Sequence, residues 1–242
     1  MKIHKQLKID SQPARLIKDN IKLELFTPGR ALFSCEGVTP APGHLVEING
    51  QFSGNENRRL FFGFIETVVE IQTGVFQCLA REMSATLNRR IALNLRHCTP
   101  AQVLESISDK TGLQFVLPEQ PWTETTIARF QHIGGGYMAL DSILKLWNIK
   151  KGTWHQQPDG KVFVGELAHS VPGQRRINIQ PGLFQLHSLT GGTLPLVPRL
   201  RPGVEIDIAG RVWVITSVEI TAEQMRLQWS ENPWNKHLKA IQ

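Results

Sequence analysis

Phe61-Phe-Gly-Phe-Ile-Glu-Thr-Val-Val-Glu-Ile-Gln-Thr-Gly-Val-Phe-Gln-Cys-Leu-Ala80 decides the fold. Leu60–Glu66 and Val68–Ile71 are rich in the β-branched and aromatic residues that suit a pleated, half-buried surface. Gln72-Thr73-Gly74 interrupts them as a hairpin loop, with Gly74 supplying the left-handed position, and Val75–Leu79 returns. At Arg81 the pattern changes, and the chain runs to His97 and then into a capped helix that ends at Gly112. The stretch therefore reads as strands feeding an inserted unit, a junction between a barrel and the next element.

Upstream, Ile21–Phe26 alternates apolar and polar residues with period two and predicts a half-buried strand. Thr27–Arg30 reads as a turn, Ala31–Glu36 and Leu45–Ile48 as strands, and Val38–Gly43 as a loop whose prolines lack ladder donors. Asn49-Gly50 predicts a tight hairpin turn, and Gly54–Arg59 a polar loop. Residues 1–20 are polar and basic and fit an arm or a first edge strand. Short strands at close spacing with glycine turns predict a first β-barrel over residues 1–88.

Downstream, Thr99-Pro-Ala-Gln102 is a helix start, with Thr99 as N-cap, Pro100 at the first helical position and Gln102 completing a capping box. Val103, Leu104 and Ile107 share one face, and Gly112 closes the helix. Leu113–Leu117 reads as a strand. A second helix over Gly136–Trp147 follows from the spacing of Tyr137, Leu140, Ile143, Leu144 and Trp147. Trp154, the Pro158-Asp159-Gly160 turn and Val162–Val164 form a hairpin. Residues 89–170 are thus an inserted α+β domain. Strands resume at Arg176–Ile179; Thr190–Pro202 reads as a loop; Val204–Ile208, Val212–Val218 and Met225–Trp229 make a meander, turned at Ala209-Gly210. Residues 171–242 are expected to be a second barrel, and Ile215-Thr-Ser-Val-Glu-Ile echoes Ile65-Glu-Thr-Val-Val-Glu-Ile with one residue of slip. The fold class is mainly β, two small barrels flanking an α+β insertion.

The 242 residues suffice for a sizeable core without metal or disulfide. No apolar run reaches the roughly 20 residues of a membrane helix, and Met1–Asp10 has no apolar signal core, so folding in a cytoplasm is expected. Cys35, Cys78 and Cys98 are far apart, odd in number and without a CxxC pair; they read as buried small apolar residues. The net charge of +6 comes in scattered pairs: Arg58-Arg59, Arg89-Arg90, Lys150-Lys151, Arg175-Arg176, and Arg199 with Arg201. A nucleic-acid binder would show a basic stripe interleaved with aromatics.

Chemistry is hard to find. None of the eight histidines pairs with another ligand at helical spacing, so no metal site is expected. His97-Cys98 reads as a capping or packing pair at the helix entry, not a nucleophile and base. Gly134-Gly-Gly136 precedes a helix but lacks the Lys-Ser or Lys-Thr of a P-loop, and reads as a loop. Glu66, Glu70, Glu82, Glu105 and Asp109 are acid candidates by composition alone, and Glu105 and Asp109 lie on one solvated helix face. Trp229 and Trp234 fit core more readily than interface anchors. No catalytic, cofactor-binding or metal-binding residues and no cofactor are expected.

Arg58–Gly63 followed by Ile65-Glu-Thr-Val68 resembles the strand that closes the first barrel of phage tail baseplate hub proteins (the late control protein D-like family). Leu87-Asn-Arg-Arg90, His97-Cys-Thr-Pro-Ala-Gln-Val-Leu104 and Thr111-Gly-Leu-Gln-Phe115 resemble their next segment. Tyr137–Trp147 and Trp154–Phe163 resemble the later part, and Gly203–Val218 the second barrel. Type VI secretion spike proteins share this layout in their hub part. The resemblance covers roughly residues 20–230 and implies a non-enzymatic homotrimer. Each chain would give two barrels to a pseudo-hexameric ring that matches a sixfold tube to a threefold spike. It implies as partners a tail tube or distal tail protein, a spike or tip/fibre-attachment protein and the tape-measure protein. It implies no membrane span and no specific nucleic acid, although DNA may pass the lumen. The expected location is the virion tail, assembled in the host cytoplasm and acting in host cell entry. A lumen passed by DNA should avoid adhesive positive charge, which places Arg58, Arg59, Arg89 and Arg90 at subunit contacts or the outer face. The alternatives are a cell-wall-degrading tail enzyme and a basic β-barrel that binds nucleic acid.

Overall fold

The computed structural model describes residues 3–52 and 56–237. In chain order it contains β1 (His4–Ile9), β2 (Gln12–Glu24), β3 (Arg30–Glu36), β4 (Leu45–Phe52), β5 (Glu56–Gln72), β6 (Val75–Glu82), β7 (Arg90–Cys98), α1 (Pro100–Thr111), β8 (Phe115–Val116) and β9 (Ile127–Gly135). There follow α2 (Gly136–Leu146), β10 (Gly152–Gln156), β11 (Val162–Glu166), β12 (Arg176–Asn178), β13 (Leu186–Ser188), β14 (Gly191–Pro195), β15 (Glu205–Ile208), β16 (Arg211–Thr221), β17 (Gln224–Ser230) and α3 (Trp234–His237). The protein is mainly β, as expected, and divides into two compact units: Met1–Glu82 with Arg175–Gln242, and Met83–Gln174.

The first unit carries a 12-stranded sheet. Pairing runs β1–β4–β5–β6–β3–β2 and returns from β2 to β1, a closed circuit of hydrogen-bonded strands. β2 is long because it serves three partners: β1 through Gln12–Ala14, β3 through Arg15–Lys22 and β16 through Asn20–Glu24. The β2–β16 pairing carries the sheet on to β17, β14 and β13, with β15 beside β16 and β12 beside β15. Strand alternation sends Ile21 and Leu23 inward while Lys22 and Glu24 pair outside at 3.1 Å. One apolar cluster spans the unit, with Phe33, Phe61 and Ile65 from the N-terminal part and Ile215, Val218 and Leu227 from the C-terminal part. Burying each such side chain contributes about 1.5–3 kcal/mol.

Several expectations are corrected here. Residues 4–20 are neither arm nor single edge strand but β1 and most of β2, reversed at Asp10 and Ser11 with left-handed φ of 46° and 68°. Asn49-Gly50 is not a turn. Both residues lie inside β4 opposite Arg59 and Arg58, just past a bulge after Ile48, because ladder pairing overrides a local turn preference. The polar loop expected over Gly54–Arg59 falls partly on residues 53–55, outside the described residues, and is strand from Glu56 on. The two strands expected at Leu60–Glu66 and Val68–Ile71 are one, β5, with bulges between Ile65 and Thr67 and between Glu70 and Gln72. The loop expected over Thr190–Pro202 contains β14. Gly191 fits there because a Cβ would stand 2.6 Å from the carbonyl oxygen of Leu227.

In the second unit β7 pairs with β9, β10 pairs with β11, and β8 joins β11 in parallel. Its core gathers Leu93, Ile107, Phe130, Leu140, Ile143 and Trp154. α1 has the expected capping box: Thr99 Oγ1 accepts from the Gln102 N–H at 3.4 Å, and Gln102 Oε1 accepts from the Thr99 N–H at 3.0 Å. Gly112 ends it at φ 73°, its N–H donating to Ser108 O. α2 stops at Leu146, and Trp147 caps it while its indole N–H donates to the Thr125 carbonyl at 2.8 Å. The Trp154 indole N–H donates to Asp141 Oδ1 at 2.9 Å and the ring stacks on Tyr137. The hairpin turns at Gly160, φ 92°, as expected. Gly134 and Gly135 are strand rather than loop, at the end of β9 opposite Ile91 and Arg90. The strand expected over Leu113–Leu117 keeps only Phe115–Val116, since Pro118 cannot donate to a ladder.

Candidate assembly surface

The structure does not gather the acid candidates. Glu105 and Asp109 are exposed on α1. Glu70 accepts from the Gly74 N–H at 3.0 Å and steadies its own hairpin. Glu66 lies 4.0 Å from Arg81 Nε. His97 is exposed with φ 47°, and Cys98 beside it is buried, its thiol pushed up by burial, so the pair makes no activated nucleophile. Among the described residues no group of three or more His, Cys, Asp and Glu side chains could hold a metal ion, and no helix is long and apolar enough to cross a membrane. All three cysteines are free and buried, as expected. The Cys78 thiol is raised, first by its hydrogen bond with Cys35 and then by burial.

Among the described residues, Glu82 at the end of β6 is the one strongly perturbed acid. Burial pushes its carboxyl up to about 7, against the hydrogen bond from the Gly29 N–H at 2.7 Å and the charge of Arg201. Arg201 donates to the carbonyl oxygens of Arg59 at 3.3 Å and Leu60 at 3.4 Å, and burial in turn lowers its pKa. One guanidinium from the Gly- and Pro-rich segment after β14 thus holds the backbone of β5 and faces an acid on β6. Both groups are buried within one unit and hold its backbone, which marks them as a structural pair. Composition had put Glu82 among the acids; nothing in the sequence told its burial.

The basic pairs separate by environment. Arg59 is held by Glu47 at 2.9 Å and lies 4.9 Å over the Phe62 ring. Against burial, hydrogen bonds from Asn49 and Arg59 keep the Glu47 carboxyl low. Arg176 bonds Glu205 at 2.8 Å. Arg89 and Arg90 are exposed. Trp229 is buried, its indole N–H donating to the Leu189 carbonyl at 3.0 Å.

Two apolar surfaces stand out on the first unit. Across β2, β3, β6 and β5 the outward register sets Lys18 beside Ser34, Ser34 beside Gln77 and Gln77 beside Val69, and Leu32 beside Leu79. Ile17, Leu32, Val69 and Ile71 are exposed on these strands, and Ile17 and Ile71 line one shallow groove with Val75. At the far end of the sheet, β13 is an edge strand that among the described residues pairs only with β14. Leu183, Leu186 and Leu189 are exposed around it, Leu189 by 79%. Single exposed apolar residues are ordinary, whereas clusters on a sheet face and at an unpaired edge mark contact sites.

No protein-family model matches the chain. A Haemophilus phage HP1 protein, an uncharacterised 58.7 kDa product, is 26% identical over 208 residues, covering 86% of this chain. The chain spans about two fifths of that relative's length, the alignment covering 39% of it. A prophage MuSo2 tail protein from Shewanella oneidensis matches with TM-score 0.73 at 9% identity, over 96% of this chain and 98% of its own. A tail protein from Neisseria meningitidis matches with TM-score 0.65 at 10% identity, over 95% and 96%. An Escherichia coli type VI secretion component, itself described as structurally similar to T4 tail proteins, matches with TM-score 0.61 at 13% identity, over 92% and 76%. The chain thus shares the fold of these phage tail proteins and of the type VI secretion component.

Proposed function

We propose that the protein is a structural hub of a bacteriophage tail, a homotrimer whose ring has pseudo-sixfold symmetry and links the tail tube to the spike or tip. Residues 1–88 and 171–242 are its two ring-forming barrels and 89–170 the inserted α+β domain. The observation that carries this reading is the join of β2 to β16, which makes one continuous sheet from the N-terminal and C-terminal parts of the chain. Two β modules built into one compact unit are what a threefold assembly needs to offer six similar positions. The apolar face over β2, β3, β5 and β6 and the β13 edge are two different patches on one unit, as a head-to-tail ring contact requires. The likeness to two tail proteins, one of them from a prophage, over nearly the whole chain supports the same reading.

In this role the chain catalyses nothing. Its partners are the tube or distal tail protein, the spike or tip/fibre-attachment protein and the tape-measure protein. It resides in the virion tail after assembly in the host cytoplasm and serves host cell entry. Gold-labelled antibody imaging of intact particles tests the placement: label at the end of the tail distal to the head supports it, and label on the head or none on particles rejects it.

A further inference from the structure

The β7–β9 ribbon of the second unit has one buried and one exposed face. Register places Arg90 beside Gly135, Ala92 beside Ile133, Asn94 beside Gln131 and Arg96 beside Arg129 on the exposed side. Ile133 is 62% exposed in the middle of that face. Neither segment, 88–98 or 125–135, contains an Asp, a Glu or a Lys. Among the described residues Arg90, Arg96 and Arg129 have no carboxylate partner; Arg129 instead donates to Asn94 Oδ1 at 3.0 Å. Arg96 and Arg129 are directly opposed, and like charges facing each other across a strand pair destabilise it. An anionic group seated between them would reverse that cost.

We infer that this face docks an acidic protein segment, one apolar side chain resting on Ala92 and Ile133 with carboxylates on either side. Two features select a protein over a nucleic acid. The face holds arginine around an apolar centre and no lysine, the composition of protein contact surfaces. Its opposed outward residues, from Arg90 to Arg96 and from Arg129 to Gly135, include no aromatic ring on which a base could stack. Paired guanidinium groups bind carboxylates bidentately, which fixes the register of an incoming segment as well as adding affinity. The inference rests on the ribbon alone and holds whether or not the chain forms a ring.

Chemical-shift mapping on the 15N-labelled chain tests it, in low salt, with the peptide acetyl-Glu-Glu-Leu-Phe-Glu-Glu-amide and, separately, a 20-base-pair DNA duplex. The expected result is saturable shifts of amides in Arg90–Cys98 and Ile127–Gly135 with the peptide. They should weaken at least tenfold in Arg96→Gln/Arg129→Gln, whose unchanged remaining spectrum shows that it folds. Peptide shifts that spare the ribbon, or are unchanged in the double variant, overturn the proposal. Tighter binding of the duplex at the ribbon also overturns it, in favour of a nucleic-acid surface.

Discussion

A Cβ on Gly63 would stand 1.9 Å from the carbonyl oxygen of Arg81. Gly63 on β5 sits between Val46 of β4 and Glu82 of β6, so backbone approaches it from the neighbouring strand at a distance no side chain permits. Replacing Gly63 by Ala must therefore move a strand, not a flexible side chain. Urea unfolding should show a loss of about 3 kcal/mol or more. A loss below 0.5 kcal/mol would mean that β5 and β6 do not approach as described.

Glu82 gives the stability a pH dependence of definite sign. Its folded pKa, about 7, lies above the ordinary 4.5 of a glutamate. The buried protonated carboxyl is therefore favoured in the folded state. Its contribution is fully present below about pH 4.5 and is lost as pH rises through 7. Between those limits the unfolding free energy should fall by about 3 kcal/mol. Glu82→Gln, which keeps an acceptor for the Gly29 N–H, should remove most of that slope in urea titrations at a series of pH values. An unchanged slope would assign the dependence elsewhere.

Thr99→Ala removes one arm of the capping box and should lower the stability of the second unit by about 1 kcal/mol. Thr99→Ser keeps the hydroxyl acceptor and should recover most of it. Thermal unfolding followed by circular dichroism distinguishes the two.

Local grammar made the second unit's helices readable. Thr99, Pro100 and Gln102 announce α1, Gly112 ends it, and the spacing of Leu140, Ile143 and Trp147 announces α2. The Gly74 and Gly160 turns were legible for the same reason, because a left-handed residue leaves a mark in sequence. Pairing was less so. Ile91, Leu93 and Leu95 alternate with period two, yet β7 is hard to read in sequence because the stretch sits between a basic pair and a helix start. Asn49-Gly50 has strong turn chemistry and still lies in a strand, since its conformation is settled by Arg58 and Arg59 across the ladder. The Arg201 contacts to Arg59 and Leu60 join residues more than 140 positions apart, and no local pattern could announce them. The exposed arginine face of β7 and β9 is likewise visible only once register puts Arg96 beside Arg129.

The apolar face on the first unit should act in assembly rather than in folding. Ile17→Asp/Val69→Asp changes two exposed residues and should leave the circular dichroism spectrum and melting temperature nearly unchanged. The same variant should lower the average mass in solution relative to the native chain. Loss of folded structure, or an unaltered mass in a chain that self-associates, would remove this face from the ring contact.

The trimer is the centre of the account, and multi-angle light scattering on the purified chain tests it most directly. The expected mass, held on dilution through the micromolar range, is three times the 27.3 kDa of one chain. A single species at 27.3 kDa throughout that range would contradict it.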